Sequence, residues 1–427
     1  MKYNSMQIEL AREMDAQDEL AHFRGQFVNN DPNLIYMDGN SLGRLPKKSL
    51  ALMDTVIEKQ WGERLIRGWN EGWIDAPQKL GAKIAKLIGA HEDEVLVCDS
   101  TSVNLFKLAV AALQMRPKRR VIISDEMNFP SDLYILQGIV DLLGNRHSLE
   151  LILSNDGVSI TAESLENSID ENTALVALTH VAFKSAFMYD MNLVTDMAHR
   201  SGAVMLWDLS HSVGSVPLDL NACDVDLAVG CTYKYLNSGP GAPAFLFVRR
   251  DLQKQLLSPI WGWFSSKDPF SFELGFSPAE DISRFKSGTP PVLSLKAIEP
   301  ALDLILEANV DRLRAKSLRQ SEYLIYLADE WLAPLGFKMG SPRAPEIRGS
   351  HVSLRHAEAY RINRAMIESP PPALRVIPDF RAPDNIRLGI APIYTSFTEI
   401  NLGLQRMQTI VQDEIYKQYS VEKLAVT

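Results

Sequence analysis

Seven short apolar runs alternate with helical patterns between about residues 80 and 250, and this alternation limits the folds open to the chain. The runs are EVLVC (94–98), RVIIS (120–124), LELILS (149–154), ALVALTH (174–180), AVMLWD (203–208), LAVGC (227–231) and AFLFV (244–248). Runs of this kind are typical of strands covered on both faces, as in parallel sheets. Between them, SVNLFKLAVAALQ (102–114) and TDMAHRSG (195–202) are predicted helices, the second ending at Gly202. The pattern predicts an α/β fold with a large, doubly wound and mostly parallel sheet.

The character of the sequence changes after about residue 290. Residues 292–332 carry a long helical pattern, and short strand-like segments follow before a final helix from about residue 397. We therefore predict a large domain at residues 61–300 and a smaller α+β domain at residues 301–427. The N-terminal segment, residues 1–60, is predicted to pack with the smaller domain.

Composition and charge exclude several classes of function. The net charge is −9 and the only basic cluster is RPKRR (116–120), whereas a nucleic-acid partner needs many clustered Lys and Arg side chains. No run reaches the roughly 18 apolar residues of a membrane span, and the N-terminus lacks the apolar core of a signal peptide. Three cysteines argue against a disulfide framework and favour a reducing cytoplasm. No H-E-x-x-H motif occurs, and we predict no bound metal.

Reactive side chains follow several of the predicted strands. The run AVMLWD ends in Asp208, and LAVGCTYK ends in Lys234 before a loop of Asn, Ser, Gly and Pro. Sheets of this kind bind ligands beyond the carboxyl ends of their strands. A lysine amine forms a Schiff base with an aldehyde, and pyridoxal 5′-phosphate (PLP) also needs a carboxylate on its ring nitrogen. Lys234 and Asp208 suit that cofactor, Thr101 and Ser102 open a helix that suits its phosphate, and Phe129 suits stacking on its ring.

Each of these residues also has an ordinary structural explanation. An aspartate after a strand is often a turn residue, hydroxyl residues cap helices, and a phenylalanine belongs in a core. It is their combination at strand ends that favours the cofactor. Lys184 also follows an apolar run and is the rival lysine, but it lacks the small-residue strand and the glycine turn around Lys234. No G-x-x-x-x-G-K-[ST] loop occurs, and GNSLG (39–43) lacks the context of a dinucleotide fingerprint.

From end to end, the chain resembles the kynureninases, which are PLP-dependent enzymes of the aspartate-aminotransferase fold (fold type I). The most specific stretches are WDLSHSVGSVPLDL (207–220) and DLAVGCTYKYLNSGPG (226–241). The other stretches are YMDGNSLGRLP (36–46), LIRGWNEGWID (65–75), CDSTSVNLFK (98–107), NFPSD (128–132), WGWF (261–264), SGTPP (287–291) and IRLGIAPIYTSF (386–397). The resemblance implies hydrolytic cleavage of the Cβ–Cγ bond of L-kynurenine or 3-hydroxy-L-kynurenine. The products would be anthranilate or 3-hydroxyanthranilate and L-alanine, in tryptophan catabolism and NAD biosynthesis.

The resemblance also implies a role for individual residues around the cofactor. Lys234 would hold PLP and move protons, Asp208 would pair with the ring nitrogen, and Asp132 would be a second carboxylate close to the ring. Tyr233 would bind the phosphate and act as a catalytic acid or base. The full cofactor-binding set that the resemblance implies in one chain is Thr101, Ser102, Phe129, Asp132, Ser185, Asp208, His211, Tyr233 and Lys234.

Two further groups of residues follow from the resemblance. Trp263 and Thr289 would complete the site from the neighbouring subunit, which implies a homodimer with shared active sites. Arg387 would clamp the α-carboxylate of a small amino-acid substrate as a bidentate fork. Ser41 and Trp69 would line the pocket for the aryl ring.

One stretch departs from the family pattern, and two alternatives stay open. Kynureninases usually carry a polar residue where Ala182 stands and a glycine where Ala186 stands, which leaves the substrate range open. One alternative is another class V PLP enzyme, an aminotransferase or a desulfurase; a desulfurase needs a cysteine in the C-terminal half, and none follows Cys231. The other is a non-catalytic PLP-binding paralogue. Such regulators usually carry a DNA-binding domain in front, for which the first 35 residues are expected to be too short.

Overall fold

The computed structural model describes residues 2–370 and 372–422. The strands are β1 Leu34–Tyr36, β2 Val95–Val97, β3 Val121–Asp125, β4 Ser148–Ile152, β5 Thr173–Thr179, β6 Val204–Asp208, β7 Leu227–Gly230, β8 Phe245–Val248, β9 Lys338–Met339, β10 Val352–Arg355, β11 Arg375–Ile377, β12 Asp379–Arg381 and β13 Asn385–Leu388. The helices are α1 Lys2–Ala16, α2 Lys47–Thr55, α3 Ala76–Ile88, α4 Thr101–Met115, α5 Pro130–Leu142, α6 Ala162–Ser168, α7 Met191–Ser201, α8 Val292–Ala308, α9 Val310–Leu327, α10 Ala359–Ile367 and α11 Phe397–Gln412. All seven apolar runs form strands, as predicted.

The large sheet has the strand order β2-β8-β7-β6-β5-β3-β4. Neighbouring strands from β7 to β4 pair in parallel, whereas β8 runs antiparallel to both of its neighbours. Every residue of β5, β6, β7 and β8 is buried, because apolar clusters cover both faces of the sheet. The predicted α/β fold with a mostly parallel sheet is confirmed.

The carboxyl ends of the parallel strands meet at one edge of this sheet. Asp208, the last residue of β6, lies opposite Thr179 at the end of β5 and opposite Val229 in β7. Helix α4 begins at the same edge after β2, with Ser100 as its N-cap. Helix α5 begins there after β3, with Pro130 in its first turn, where the missing N–H costs nothing. This edge therefore combines strand ends with two helix N-termini.

The C-terminal part of the chain forms a second, smaller sheet. It is antiparallel, with the order β12-β13-β10-β9, and it packs on α10 and α11 through a separate apolar cluster. One of the short strand-like segments after residue 332, LRVIPDF (374–380), is divided between β11 and β12. Pro378 stands between them, and its missing N–H ends the ladder at that point.

The N-terminal segment contacts this C-terminal part. Strand β1 pairs in parallel with β11, and the Asp15 carboxylate accepts the N–H groups of Phe397 and Thr398 at 2.7 and 2.9 Å, at the start of α11. Helix α2 instead packs on α8, where the Ser49 hydroxyl donates to the Ala297 carbonyl at 3.1 Å. The domain boundary predicted at residue 300 lies inside α8.

The structure allows three further observations, on helix length, on clusters of metal-ligand side chains and on the cysteines. In the described part of the chain, no helix is long and apolar enough to cross a membrane. Nor do three or more His, Cys, Asp or Glu side chains of the described residues come together as a metal site. Cys98, Cys223 and Cys231 are free thiols.

Candidate active site

A cavity of about 690 Å³ opens at the edge where the parallel strands end. The ends of the large sheet, the turn 39–43 after β1, and strands β12 and β13 all contribute to its wall. The sequence-predicted site residues on this wall are Ser41, Thr101, Ser102, Phe129, Asp132, Asp208, His211, Tyr233, Lys234, Thr289 and Arg387. Residues from distant parts of the sequence therefore meet in one cavity.

Lys234 stands on this wall shortly after the end of β7. Its Nζ lies 3.3 Å from Nε2 of His211 and 5.8 Å from the ring centroid of Phe129. Burial, followed by the positive charge of Lys234, holds the pKa of His211 well below its ordinary value, so the neutral ring accepts a hydrogen bond from the ammonium. Gly239 and Gly241 form the turn that follows, with φ values of 93° and 69° that favour glycine. A neutral histidine and an aromatic ring therefore hold the amine at the cavity wall.

Two buried carboxyl groups, Asp208 and Asp132, face the same cavity. Oδ1 of Asp208 accepts hydrogen bonds from the backbone N–H and the hydroxyl of Ser210, at 2.9 and 2.6 Å. Oδ2 of Asp132 is buried and has no hydrogen-bond partner among the described residues. Burial raises the pKa of both carboxyl groups; the charge of Asp208 raises that of Asp132 further, and Lys234 opposes both shifts. This region therefore favours a ligand that brings a hydrogen-bond donor or a positive charge.

Hydroxyl groups gather where α4 and α5 begin. The hydroxyls of Ser102 and Ser131 lie 3.0 Å apart, and Ser100 caps α4 by accepting a backbone N–H at 3.3 Å. The free N–H groups of a helix N-terminus, together with its dipole, bind anions. Tyr233 also lines the cavity; the Cys231 sulfur, followed by burial, raises the pKa of its hydroxyl, which therefore keeps its proton at neutral pH. The arrangement suits a phosphate group.

Arg387 in β13 brings a buried guanidinium to the wall; its side chain is only 1% exposed. Nη1 donates to the Phe183 carbonyl at 2.5 Å, while Nη2 donates to the Ser41 hydroxyl at 2.7 Å and also to the Asp379 carboxylate. Arg381 pairs with that carboxylate at 3.0 Å. Nε of Arg387 is buried without a hydrogen-bond partner among the described residues. A ligand carboxylate would therefore find one free donor at Nε and would share Nη2 with the groups already there.

The turn 39–43 reaches the cavity because its backbone approaches the Lys234 loop closely. The N–H of Gly43 donates to the Tyr233 carbonyl at 2.8 Å. A Cβ at Gly43 would lie 2.3 Å from Oδ1 of Asn237 and 2.5 Å from the Lys234 carbonyl, so a larger residue does not fit. The glycine thus allows the turn to present Ser41 to the site.

Some sequence-predicted residues lie elsewhere. The structure does not bring Ser185 into the cavity; its hydroxyl instead donates to the Val158 carbonyl at 2.8 Å, and Val158 does not line the cavity. Trp69 packs edge-on against a second tryptophan and is not on the wall, and Trp263 is also off the wall, 42% exposed. Thr289, expected from the neighbouring subunit, lines the cavity of its own chain.

The loop after β5 contacts the site through its backbone. Ala182 and Ala186 are buried and off the wall, and Lys184 is also absent from the wall; the Phe183 carbonyl is the group that reaches Arg387. Ala186 adopts a φ of 64°, a conformation that favours glycine. The glycine that kynureninases usually carry at this position would adopt this backbone conformation without strain.

The cavity wall also contains residues that sequence reasoning missed. Ser131 directly follows Pro130 at the start of α5, a position equivalent to that of Ser102 at the start of α4. Asn40 lies inside the GNSLG turn, beside Ser41. Arg381 carries no sequence signal, because only the antiparallel pairing of β12 with β13 brings it to the cavity.

The residues present fit PLP. Lys234 offers an amine for its aldehyde, and the hydroxyls at the two helix starts suit its phosphate. The unpartnered oxygen of Asp132 fits a cofactor ring that carries hydrogen-bond donors and a cationic nitrogen. Phe129 offers an aromatic face beside the lysine.

Fold and site together define a PLP-dependent enzyme of the class V aminotransferase group, and residues 36–330 match the family model described as aminotransferase class-V. A cysteine desulfurase from Thermococcus onnurineus NA1 superposes with a TM-score of 0.75 at 20% sequence identity, covering 89% of this chain and 95% of that one. A C-DES mutant with glycine covalently linked to its PLP cofactor superposes with a TM-score of 0.78 at 19% identity, covering 90% and 98%. At these identities the likeness shows the fold.

Within this group, the chain belongs to the kynureninase family. Residues 313–407 match the model of the kynureninase C-terminal domain. The chain is 42% identical to the kynureninase of Pseudomonas fluorescens over 410 residues, which is 95% of each chain. It is 40% identical to the kynureninase of Burkholderia mallei (strain SAVP1) over 414 residues, 96% of each. The family, the PLP cofactor and the C–C bond hydrolase activity predicted from the sequence are confirmed.

Proposed function

We propose that this cavity binds L-kynurenine, or its 3-hydroxy form, and cleaves the Cβ–Cγ bond with water. The products are anthranilate, or 3-hydroxyanthranilate, and L-alanine. The observation that carries the proposal is the meeting of Lys234, Asp208 and Arg387 in one cavity. A PLP enzyme acting on an amino acid needs an amine anchor, a carboxylate for the ring nitrogen and a cation for the substrate carboxylate. Two relatives named kynureninase over nearly the whole chain support the choice of substrate.

The residues near the cofactor have distinct tasks in this reaction. PLP, when bound, supplies an electron sink for the negative charge that develops at Cα and Cβ of the substrate. Lys234 anchors the cofactor and moves the proton at Cα. Asp208, oriented by Ser210, keeps the ring nitrogen protonated, and the neutral His211 holds the lysine amine at the wall.

Tyr233 is our choice for the group that stabilises the hydrated ketone. Addition of water at Cγ places negative charge on an oxygen, and a donor fixed in advance stabilises that charge best. The Tyr233 hydroxyl keeps its proton at neutral pH, because the neighbouring sulfur and burial raise its pKa. The Ser41 hydroxyl accepts a hydrogen bond from Arg387, which supports a place for it on the α-carboxylate side. Tyr233 therefore serves as donor to the Cγ oxygen and then as the acid that protonates Cβ, and it regains a proton from the carboxylic acid released when the Cβ–Cγ bond breaks.

We also propose a homodimer with shared active sites. The segment 261–276 exposes Trp261, Trp263, Phe270, Phe272 and Leu274, and the exposed fractions of these residues lie between 42% and 104%. Phe270 contacts both Trp263 and Phe272, and adjoining exposed apolar side chains are typical of a protein interface. A second copy of the chain would cover this segment and receive Trp263 at its own cavity.

The thiols and the net charge support a proposal for the cellular location. Three free cysteines and a net charge of −9 favour a reducing compartment and disfavour nucleic acid as a partner. We therefore propose a cytoplasmic enzyme of tryptophan breakdown.

Steady-state kinetics of the purified protein on both kynurenines test the proposal. We expect the aryl acid and alanine to be released in equal amounts, and no sulfide to be released from L-cysteine. Borohydride reduction followed by peptide mapping is expected to label Lys234. Label on Lys184 would overturn the site assignment, and PLP-loaded protein that releases no aryl acid from either substrate would overturn the function.

A further inference from the structure

A lysine with no surface exposure lies directly behind the wall of the cavity. Lys107, in α4, has a side chain that is 0% exposed. Its Nζ donates to Oδ2 of Asp99 at 2.6 Å, to the Phe285 carbonyl at 2.6 Å and to the Cys98 sulfur at 3.5 Å. All three N–H bonds of the ammonium therefore have acceptors, which is what makes burial of this charge tolerable.

Two of these acceptors belong to loops that form the cavity. Asp99 lies on the wall between β2 and α4, with a left-handed φ of 47° that a non-glycine residue rarely adopts. Phe285 precedes the segment 286–291, which carries Thr289 on the wall. The Ser287 hydroxyl donates to the same Asp99 oxygen at 3.0 Å. Lys107 and Ser287 thus join the loop at the start of α4 to the segment 286–291.

Stability alone does not explain a charge at this place. A buried ion pair contributes little to stability compared with well-packed apolar side chains of similar volume. The ammonium instead fixes the distances between its three acceptors, which lie on two loops. One of these acceptors, Asp99, has the strained backbone conformation. The loop that it fixes leads directly into Ser100 and Ser102, at the helix start that suits the phosphate.

We propose that Lys107 is a positioning residue for the phosphate group of the cofactor: through Asp99 and Phe285 it holds the two loops at the spacing that the phosphate requires. It touches neither cofactor nor substrate and acts only through those loops. The inference rests on the proposed use of PLP. It predicts that Lys107 affects binding of the cofactor phosphate and not the attachment of the cofactor to Lys234.

The test compares PLP with pyridoxal, which has the same ring and aldehyde but no phosphate. The full-length protein is freed of cofactor and titrated with each compound, and the absorbance of the bound form gives the dissociation constant Kd. Lys107→Met should raise the Kd for PLP about 10- to 100-fold, as loss of a residue that orients a ligand-binding group typically does. The Kd for pyridoxal should change by less than about threefold.

Lys316 provides the matched control. It is also a buried lysine, 7% exposed, paired with Asp18 at 2.7 Å, but Asp18 does not line the cavity, whereas Asp99, the partner of Lys107, does. Lys316→Met should lower the unfolding temperature while leaving the ratio of the two Kd values as in the wild type. Equal changes in both Kd values for Lys107→Met, or no change in either, would overturn the positioning role.

A milder variant covers the case in which Lys107→Met does not fold. Ser287→Ala removes the second donor to Asp99 without leaving a buried charge unpaired, and it should raise the Kd for PLP alone, by about three- to tenfold. An unchanged Kd for PLP would contradict the inference. If the wild type binds PLP no more tightly than pyridoxal, the proposed function itself fails; if it prefers PLP and the variants keep that preference, only the role of Lys107 fails.

Discussion

Replacing Arg387 with lysine tests whether this buried guanidinium binds the substrate or only joins structural elements. Lysine keeps the positive charge, and its ammonium could still pair with the Asp379 carboxylate that Arg387 now contacts. What it loses is the planar fork, including the Nε donor that has no partner among the described residues. The fold and the PLP content of Arg387→Lys should therefore be close to those of the wild type.

The size of the effect follows from the hydrogen bonds that a lysine cannot make to the substrate carboxylate. A bidentate carboxylate pair comprises two charge-assisted hydrogen bonds of about 1.5–3 kcal/mol each, and a lysine would keep at most one of them together with the charge attraction. Loss of one such bond, about 1.5–3 kcal/mol of transition-state binding, corresponds to a decrease in kcat/KM of roughly one to two orders of magnitude.

The assay is continuous detection of released anthranilate over a range of kynurenine concentrations, with the PLP content of each preparation measured separately. Arg375→Lys is the control, because Arg375, in β11, pairs with Asp31 in the loop before β1 and is 42% exposed. That variant should keep kcat/KM within about twofold, as expected for an exposed ion pair. A kcat/KM of Arg387→Lys within about tenfold of the wild type, at full PLP content, would refute the clamp and leave Arg387 as a structural partner of Asp379.

Three further predictions concern assembly, backbone strain and pH. Mixing inactive Lys234→Ala chains with Trp263→Ala chains should restore part of the activity, because a hybrid dimer contains one complete shared site; confirmed hybrids without recovery would exclude sharing through Trp263. In urea titrations, Ala186→Gly should raise the free energy of unfolding by about 0.5–1 kcal/mol, since Ala186 has a φ of 64°. Ala182 is also buried but does not have a positive φ, so Ala182→Gly should lower the free energy of unfolding. Burial raises the pKa of Asp125 from 3.8 to about 6, so this group stabilises the fold fully below about pH 4 and loses that contribution as the pH rises through 6. The free energy of unfolding of the wild type should therefore fall between pH 4 and 7 by up to about 3 kcal/mol more than that of Asp125→Asn. An equal fall in the two proteins would show that Asp125 does not titrate in this range.

Much of the large sheet could be predicted because its central strands are buried on both faces. Burial of this kind leaves continuous apolar runs that need no knowledge of distant residues, and the reactive residues follow those runs directly. Asp208 and Lys234 meet because parallel neighbours end at one edge, which is a general property of such sheets.

The remaining features depend on pairings between distant parts of the chain. Strand β1 is three residues long and exists because β11, more than 330 residues later, pairs with it. The place of Arg381 on the cavity wall depends on the pairing of β12 with β13, and the place of Ser185 depends on a carbonyl at Val158. Neither the local sequence pattern nor the spacing of residues shows which distant groups come together. For Ser185, the family resemblance does not show the contact with Val158 either.

The pairing of β1 with β11 also sets the order in which the site is completed during synthesis. The turn 39–43 leaves the ribosome early, but two of its partners, β11 beside β1 and Arg387 beside Ser41, are made only near the end of translation. Until then the large sheet can form and bring its strand-end residues together, while Ser41 has no Arg387 to contact. A nascent chain therefore has a place for the cofactor before it has a complete place for the substrate, and catalysis begins only after the last strands have been added.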